Sequence, residues 1–170
     1  AGHGPKGNIL EISDEDWIKG METYFLNVVR ACRLVTPIMK KQKNGSIINI
    51  STYAIFEPER SFPTSGIMRA GLASFTKIYA DEYAKFNIRI NTICPGGVAT
   101  DRLLNLIDDQ SNSTGESFET LLMKAEASIP MKRFAEPSEI ANLVIFLCSN
   151  KANYISGRTH CVDGGLVKSL

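Results

Sequence analysis

Ser65 and Arg69 stand four positions apart in a stretch with helical patterning, so both fall on one helix face. The pair can act on a polarised bond. A guanidinium keeps its charge at any useful pH and can polarise a carbonyl oxygen, but it is a poor proton relay. An alkyl hydroxyl does not ionise near neutrality, whereas a phenol of pKa ~10 can be brought down by a neighbouring cation. Ser65 as a nucleophile would need a base held by a third group, and no motif brings His3, in the first loop, or His160, in the last strand, beside it. A second candidate is Pro95-Gly96-Gly97, which stops an apolar strand and leads into Val98 and Thr100. Glycine permits close approach of a ligand, and ligands of open α/β sheets sit beyond the carboxyl ends of strands. Cys32, Cys94, Cys148 and Cys161 are widely separated, with no C-x-x-C and no histidine at ligand spacing, so they are expected to be reduced core thiols rather than zinc or disulfide partners. No metal site is predicted. Asn112-Ser113-Thr114 matches a glycosylation acceptor, a pattern common by chance.

The elements that must hold these groups alternate. Ser13, with Asp16 three residues on, signals a helix start near Asp14. Apolar residues from Trp17 to Val35 carry the helix to about Lys41, with Pro37 expected at a break or in an irregular last turn. Ser46–Ser51 is a short β-branched strand, and a loop from Thr52 to about Phe62 leads to a second long helix over roughly 64–86. Asn87–Cys94 forms the next strand, Pro137 opens a helix to about Cys148, and Arg158–Val162 is a closing strand. Residues 101–130, polar from Asp108 to Glu116, read as a mobile lid or variable loop with short helices. The alternation predicts an α/β layered domain with a parallel sheet.

Composition removes several classes. With 170 residues, 44% of them hydrophobic, the chain can bury a core and fits one globular domain. Lys and Arg total 19 against 18 Asp and Glu, which gives no field to gather nucleic acid or an anionic bilayer. The longest wholly apolar run, Leu143–Cys148, is too short to span a membrane. These features predict a cytoplasmic protein that binds no nucleic acid and no membrane.

Several segments in fixed order resemble the second half of a short-chain dehydrogenase/reductase. They are Gly45-Ser-Ile-Ile-Asn-Ile-Ser-Thr52, Arg69-Ala-Gly-Leu-Ala-Ser-Phe-Thr-Lys77, Ile88-Arg-Ile-Asn-Thr-Ile-Cys-Pro-Gly-Gly-Val-Ala-Thr100, Arg133-Phe-Ala-Glu-Pro-Ser-Glu-Ile-Ala141, and Tyr154-Ile-Ser-Gly157 through Val162-Asp-Gly-Gly165. The resemblance is to a divergent member of the 3-oxoacyl-acyl-carrier-protein-reductase type. It implies the C-terminal part of a Rossmann-like, doubly wound parallel sheet, with the N-terminal dinucleotide-binding strands missing from the chain. Residues 1–170 would form a single partial domain, and Ala1-Gly2 would match the tail of the family's Asn-Asn-Ala-Gly segment. The implied cofactor is NAD or NADP, and the phosphate-binding loop and the residue that selects the ribose have no counterpart here. Dinucleotide binding by this chain alone is therefore expected to be weak.

The resemblance also assigns the site. The family's carbonyl-orienting hydroxyl falls on Thr52, its proton-donating Tyr on Ser65 thirteen residues later, and its ribose-holding Lys on Arg69. Pro95, Gly96, Gly97, Val98 and Thr100 fall where the strand end contacts the nicotinamide. The family's relay Asn falls on Tyr24, with Asn27 one turn further on. If reduction occurs, the proton must come from water or another group, and Tyr24 and Tyr53 are the candidates. The reading is an NAD(P)-dependent oxidoreductase acting on a carbonyl or secondary alcohol with an altered site. The alternative is a non-catalytic relative acting through homo-oligomerisation along the long helices near 14–41 and 64–86.

Overall fold

The computed structural model describes residues 4–169. His3 and the Ala1-Gly2 match lie outside the described residues. Three parallel strands, β1 (Gly45–Ile50), β2 (Ile88–Pro95) and β3 (Thr159–Val162), form one sheet in the order β1-β2-β3. Gly45 pairs with Ile88 and Ile50 with Ile93, while Thr92 pairs with Thr159. The described residues hold six α-helices, of which α2, α3 and α6 pack on the sheet: α1 (Asp14–Met21), α2 (Asn27–Gln42), α3 (Pro63–Tyr83), α4 (Asp101–Thr114), α5 (Phe118–Ala127) and α6 (Pro137–Cys148). β2, the central strand, is buried along nearly its whole length, as a parallel strand covered on both faces must be.

Ser13 caps α1 by accepting from the Asp16 amide at 3.2 Å, as the sequence predicts. The first long helix is not uniform. A π-helical turn, Glu22–Leu26, joins α1 to α2, and such turns shift the helical register by a residue. The expected break at Pro37 is not there, because Pro37 lies inside α2 and the helix runs on to Gln42. Buried Cys32 and Thr36, with the Thr36 hydroxyl donating to the Cys32 carbonyl at 2.6 Å, hold the helix on the core across the missing backbone donor. Within 101–130 the short helices are present as α4 and α5, and they take in the polar residues Asp108–Thr114, since α4 presents these to solvent and buries Ile107 on the other side. Ile107, Leu121, Ile129 and Phe134 form a separate small core under α4 and α5.

A buried polar ladder pins α3 to the sheet. The Asn49 amide donates to the Thr76 hydroxyl at 3.0 Å, and Thr76 and Thr92 hydroxyls bond to each other at 3.0 Å. This ladder sets the depth and rotation of the helix that carries Ser65 and Arg69. Arg89, nearly buried in β2, donates to the carbonyls of Leu147 at 2.7 Å and Ser149 at 3.3 Å, tying the end of α6 to the sheet. Cys32 and Cys94 are buried thiols as expected, but Cys148 and Cys161 are exposed: α6 turns Cys148 to solvent at its last residue, and Cys161 lies on an outer strand. All four are free.

Candidate active site

Beyond the carboxyl ends of β1 and β2 lies a cleft of about 570 Å³. Its lining includes Thr52, Ser65, Arg69 and the run Pro95, Gly96, Gly97, Val98 and Thr100, so one cavity brings together the residues that the resemblance puts forward for catalysis and cofactor contact. Each is placed by a local device. Thr52 leaves β1 in extended conformation and its hydroxyl accepts from the Ala54 amide at 3.3 Å, capping a short 3-10 turn over Tyr53–Ile55. Ser65 and Arg69 project from the first two turns of α3, which opens on Pro63. Thr64, just before Ser65, is buried and donates to the Pro5 carbonyl at 2.8 Å, which fixes the start of the helix.

Arg69 is half-buried. One guanidinium nitrogen donates to the Ile50 carbonyl at 2.9 Å, and the guanidinium carbon lies 4.8 Å from the centre of the Tyr24 ring. Its Nε is buried and has no partner among the described residues, as has the Ser51 hydroxyl nearby. Burial pulls the Arg69 pKa down and the neighbouring Arg102 adds to the pull, against the opposing influence of Tyr24 and Cys94. The Cys94 thiol beneath is pushed up to about 11 by burial, so it stays protonated.

The glycines of the Pro95-Gly96-Gly97 turn are required by packing as well as by any ligand. A Cβ on Gly96 would stand 2.8 Å from the Asp163 Cα, and one on Gly97 would stand 2.5 Å from Phe134 Cδ1. Val98 bridges to Ala135, and the Ala99 amide donates to the Ala135 carbonyl at 2.8 Å. Thr100 caps α4 by accepting from the Leu103 amide at 3.4 Å.

The two phenols of the cleft differ in what they hold. Tyr53 donates its proton to Glu59, and burial followed by Glu59 drives its pKa up. Tyr24, buried on the π-helical turn, accepts from the Gly4 amide at 2.6 Å, and its own proton has no acceptor among the described residues. Asn27 is exposed and outside the cleft lining. His160 also lies outside the lining; burial and then Arg158 hold its pKa down. Among the described residues no group of three His, Cys, Asp or Glu side chains is arranged to hold a metal ion. Among the described residues no helix is long and apolar enough to cross a membrane.

Arg102 and Glu59 are cleft residues that sequence reasoning missed. Arg102 carried a signal. A cation in the first turn of a helix runs against the helix dipole, which suggests that something other than helix stability keeps it there.

A parallel sheet wrapped by helices, with a cleft at its carboxyl edge, defines a Rossmann-like α/β protein. The comparisons agree. The family model described as enoyl-(acyl carrier protein) reductase matches residues 1–167. The chain is 34% identical over 159 residues to the 2,3-dihydro-2,3-dihydroxybenzoate dehydrogenase of Bacillus subtilis, covering 94% of this chain and 60% of that protein. It is 31% identical over 159 residues to the 3-oxoacyl-[acyl-carrier-protein] reductase FabG of Thermotoga maritima, with the same coverage. The L-sorbose reductase of Gluconobacter frateurii, solved with NADPH and L-sorbose, superposes with a TM-score of 0.94 at 34% identity, over 100% of this chain and 65% of that one. The chain belongs to the short-chain dehydrogenase/reductase family. It spans about 60% of the length of the curated relatives that it matches.

Proposed function

We propose that this chain forms the substrate side of an NAD(P)-dependent oxidoreductase that interconverts a small-molecule carbonyl and a secondary alcohol. The observation that carries the reading is the convergence of Thr52, Ser65, Arg69 and the Pro95–Thr100 turn on one cleft at the carboxyl edge of the sheet. Family membership supports it, as do relatives named for dehydrogenase and reductase activities. Residues 1–170 act as one partial Rossmann-like domain, with α4 and α5 as the wall that shapes the substrate site.

The residues fit a nicotinamide at this end of the site. Arg69 lines the cleft and keeps a buried Nε without a partner among the described residues, and the Pro95-Gly96-Gly97-Val98 backbone and Thr100 stand at the strand end. A bound NAD or NADP would supply or accept the hydride. Thr52 and Ser65 then orient the carbonyl oxygen by hydrogen bonding, and Arg69 offsets the negative charge that grows on that oxygen. Ser65 does not deliver the proton, because its hydroxyl does not ionise in the working range. Tyr24 is the proton source, since Tyr53 has committed its proton to Glu59 while that of Tyr24 remains uncommitted.

The test is nicotinamide absorbance of the full-length polypeptide with NADPH or NADH and a panel of ketones and secondary alcohols. Hydride transfer that Arg69→Ala abolishes supports the reading, and no transfer with any pair removes it.

A specific observation favours self-association alongside catalysis. A groove of about 730 Å³ between α2 and α3 is lined by Val29, Phe75, Ile78 and Tyr79, and Leu34, Ile38 and Ile78 are more than half exposed. A homo-oligomer would cover this face, and the non-catalytic alternative would use it alone. Sedimentation velocity decides: a monomer at micromolar concentration removes the oligomer. The four free thiols favour a reducing, cytoplasmic setting.

A further inference from the structure

The charge around the cleft does not match that of the chain. Overall, 19 cationic side chains face 18 acidic ones. The lining of the cleft contains Arg69 and Arg102 but one carboxylate, Glu59, which is occupied by the Tyr53 hydroxyl. A third cation stands close by, with the Lys6 ammonium 4.8 Å from the centre of the ring of Phe62, another lining residue. None of the three cations is in an ion pair among the described residues, whereas Arg30, Lys124 and Arg133 are each paired with a glutamate elsewhere.

An unpaired guanidinium is ordinary at a surface and costly when half-buried. Arg69 is the costly kind. It spends one nitrogen on the Ile50 carbonyl, keeps a buried Nε without a partner, and feels the repulsion of Arg102. Two cations that raise each other's energy across an open cleft are relieved by an anion between them. The walls supply the rest of the ligand's description: Leu103, Leu106, Ile107, Ile129, Phe134 and Leu166 are apolar.

We propose that the cleft selects a substrate bearing a carboxylate on a mainly apolar body, its charge held by exposed Arg102 at the mouth, while half-buried Arg69 at the floor adds attraction without giving up the reacting carbonyl oxygen. The role of this anion in turnover rests on the oxidoreductase reading, whereas its binding does not. A carboxylate on the substrate and a phosphate of the cofactor share the chemistry that two arginines recognise. The apolar wall favours the substrate as the source.

The experiment titrates the full-length polypeptide calorimetrically, at low salt, with benzoate, with its uncharged isostere benzamide, and with inorganic pyrophosphate. Benzoate should bind about tenfold or more tightly than benzamide, the ratio expected from one charge-assisted hydrogen bond. Arg102→Gln should bring that ratio close to one, Arg102→Lys should keep most of it, and added salt should reduce it. Arg102 is exposed, so neither variant threatens folding. Equal binding of benzoate and benzamide, or no detectable binding of benzoate, overturns the proposal. So does pyrophosphate binding that Arg102→Gln abolishes while the benzoate ratio is unchanged, because the pair would then serve the cofactor. Hydride transfer is measured separately. A benzoate preference without any transfer removes the oxidoreductase reading alone, and transfer without a preference removes the anion site alone.

Discussion

Removing the Tyr24 hydroxyl while leaving its ring separates the two jobs assigned to this residue. In Tyr24→Phe the aromatic face under Arg69, 4.8 Å from the guanidinium carbon, is retained. The lost atom is the acceptor of the Gly4 amide, a buried bond of 2.6 Å. An amide left unpaired in that position costs about 1–3 kcal/mol of stability. Losing a general acid costs about 10²–10⁴ in rate, or roughly 3–5 kcal/mol of barrier. Both should be visible in the full-length polypeptide: a lowered thermal midpoint, and a kcat for NADPH-dependent ketone reduction reduced by that factor with a smaller change in KM. The matched control is Tyr53→Phe, which releases Glu59 but should leave kcat near that of the parent. The parent should also show a solvent deuterium effect on kcat, which a purely structural phenol would not produce. If Tyr24→Phe melts earlier but turns over at the parental rate, or if Tyr53→Phe is the variant that fails, Tyr24 is not the proton source.

Three further changes test the frame around the site. Arg89→Met leaves the Ser149 carbonyl without its donor and the Leu147 carbonyl with only the longer bond from the Ser46 hydroxyl, and should lower stability by roughly 1–3 kcal/mol, read as a denaturant midpoint shift at unchanged slope. Gly97→Ala drives a methyl to 2.5 Å from the Phe134 ring and should cost about 1–3 kcal/mol while narrowing the cleft, so melting temperature and benzoate affinity should fall together. Glu139 accepts from the Glu136 amide at 2.8 Å and from both Arg133 terminal nitrogens at 2.7 and 2.8 Å, which lowers its pKa from an ordinary 4.5 to about 2, the Arg133 bond being the largest cause. Its contribution is therefore complete above pH 4.5 and is lost as pH falls toward 2, so Glu139→Gln should flatten the acid limb of the stability profile over that window.

The fold was legible where a single short-range rule decides. Ser13 capping α1, Pro137 opening α6 and the β-branched run of β1 lie within a residue or so of where the sequence puts them. Positions settled by tertiary contact were not legible. Pro37 should break a free helix, yet packing of Cys32 and Thr36 carries α2 through it. Asp108–Thr114 looks like a loop because polarity alone cannot distinguish a solvated helix face from a solvated turn, and the deciding residue, Ile107, is a single buried side chain. Cys161 looks like core because strand patterning does not reveal which strand is outermost. The residues that the resemblance puts forward share one cleft because fixed spacings along α3 and the two strand ends survive folding. Arg102 and Glu59 were not, since they enter the cleft from segments that only the folded chain brings over it.

The residues around Arg69 make physical sense together. An amine at position 69 could shed its charge or slip toward water, but a guanidinium does neither, so placing one half-buried beneath a cleft demands compensation. A carbonyl at the end of β1 supplies part of it, and an aromatic face supplies the next part. A short amide side chain at position 24 offers no such face; a tyrosine does. The π-helical turn is what presents that ring inward, and the Gly4 amide holds its hydroxyl in place: a Cβ on Gly4 would lie 2.3 Å from the Tyr24 ring. Arg69 and Tyr24 therefore behave as one unit, with a phenol held beside the guanidinium on the opposite helix. Replacing Arg69 with lysine should then weaken the site, because the Tyr24 face would lose the planar cation that it accommodates.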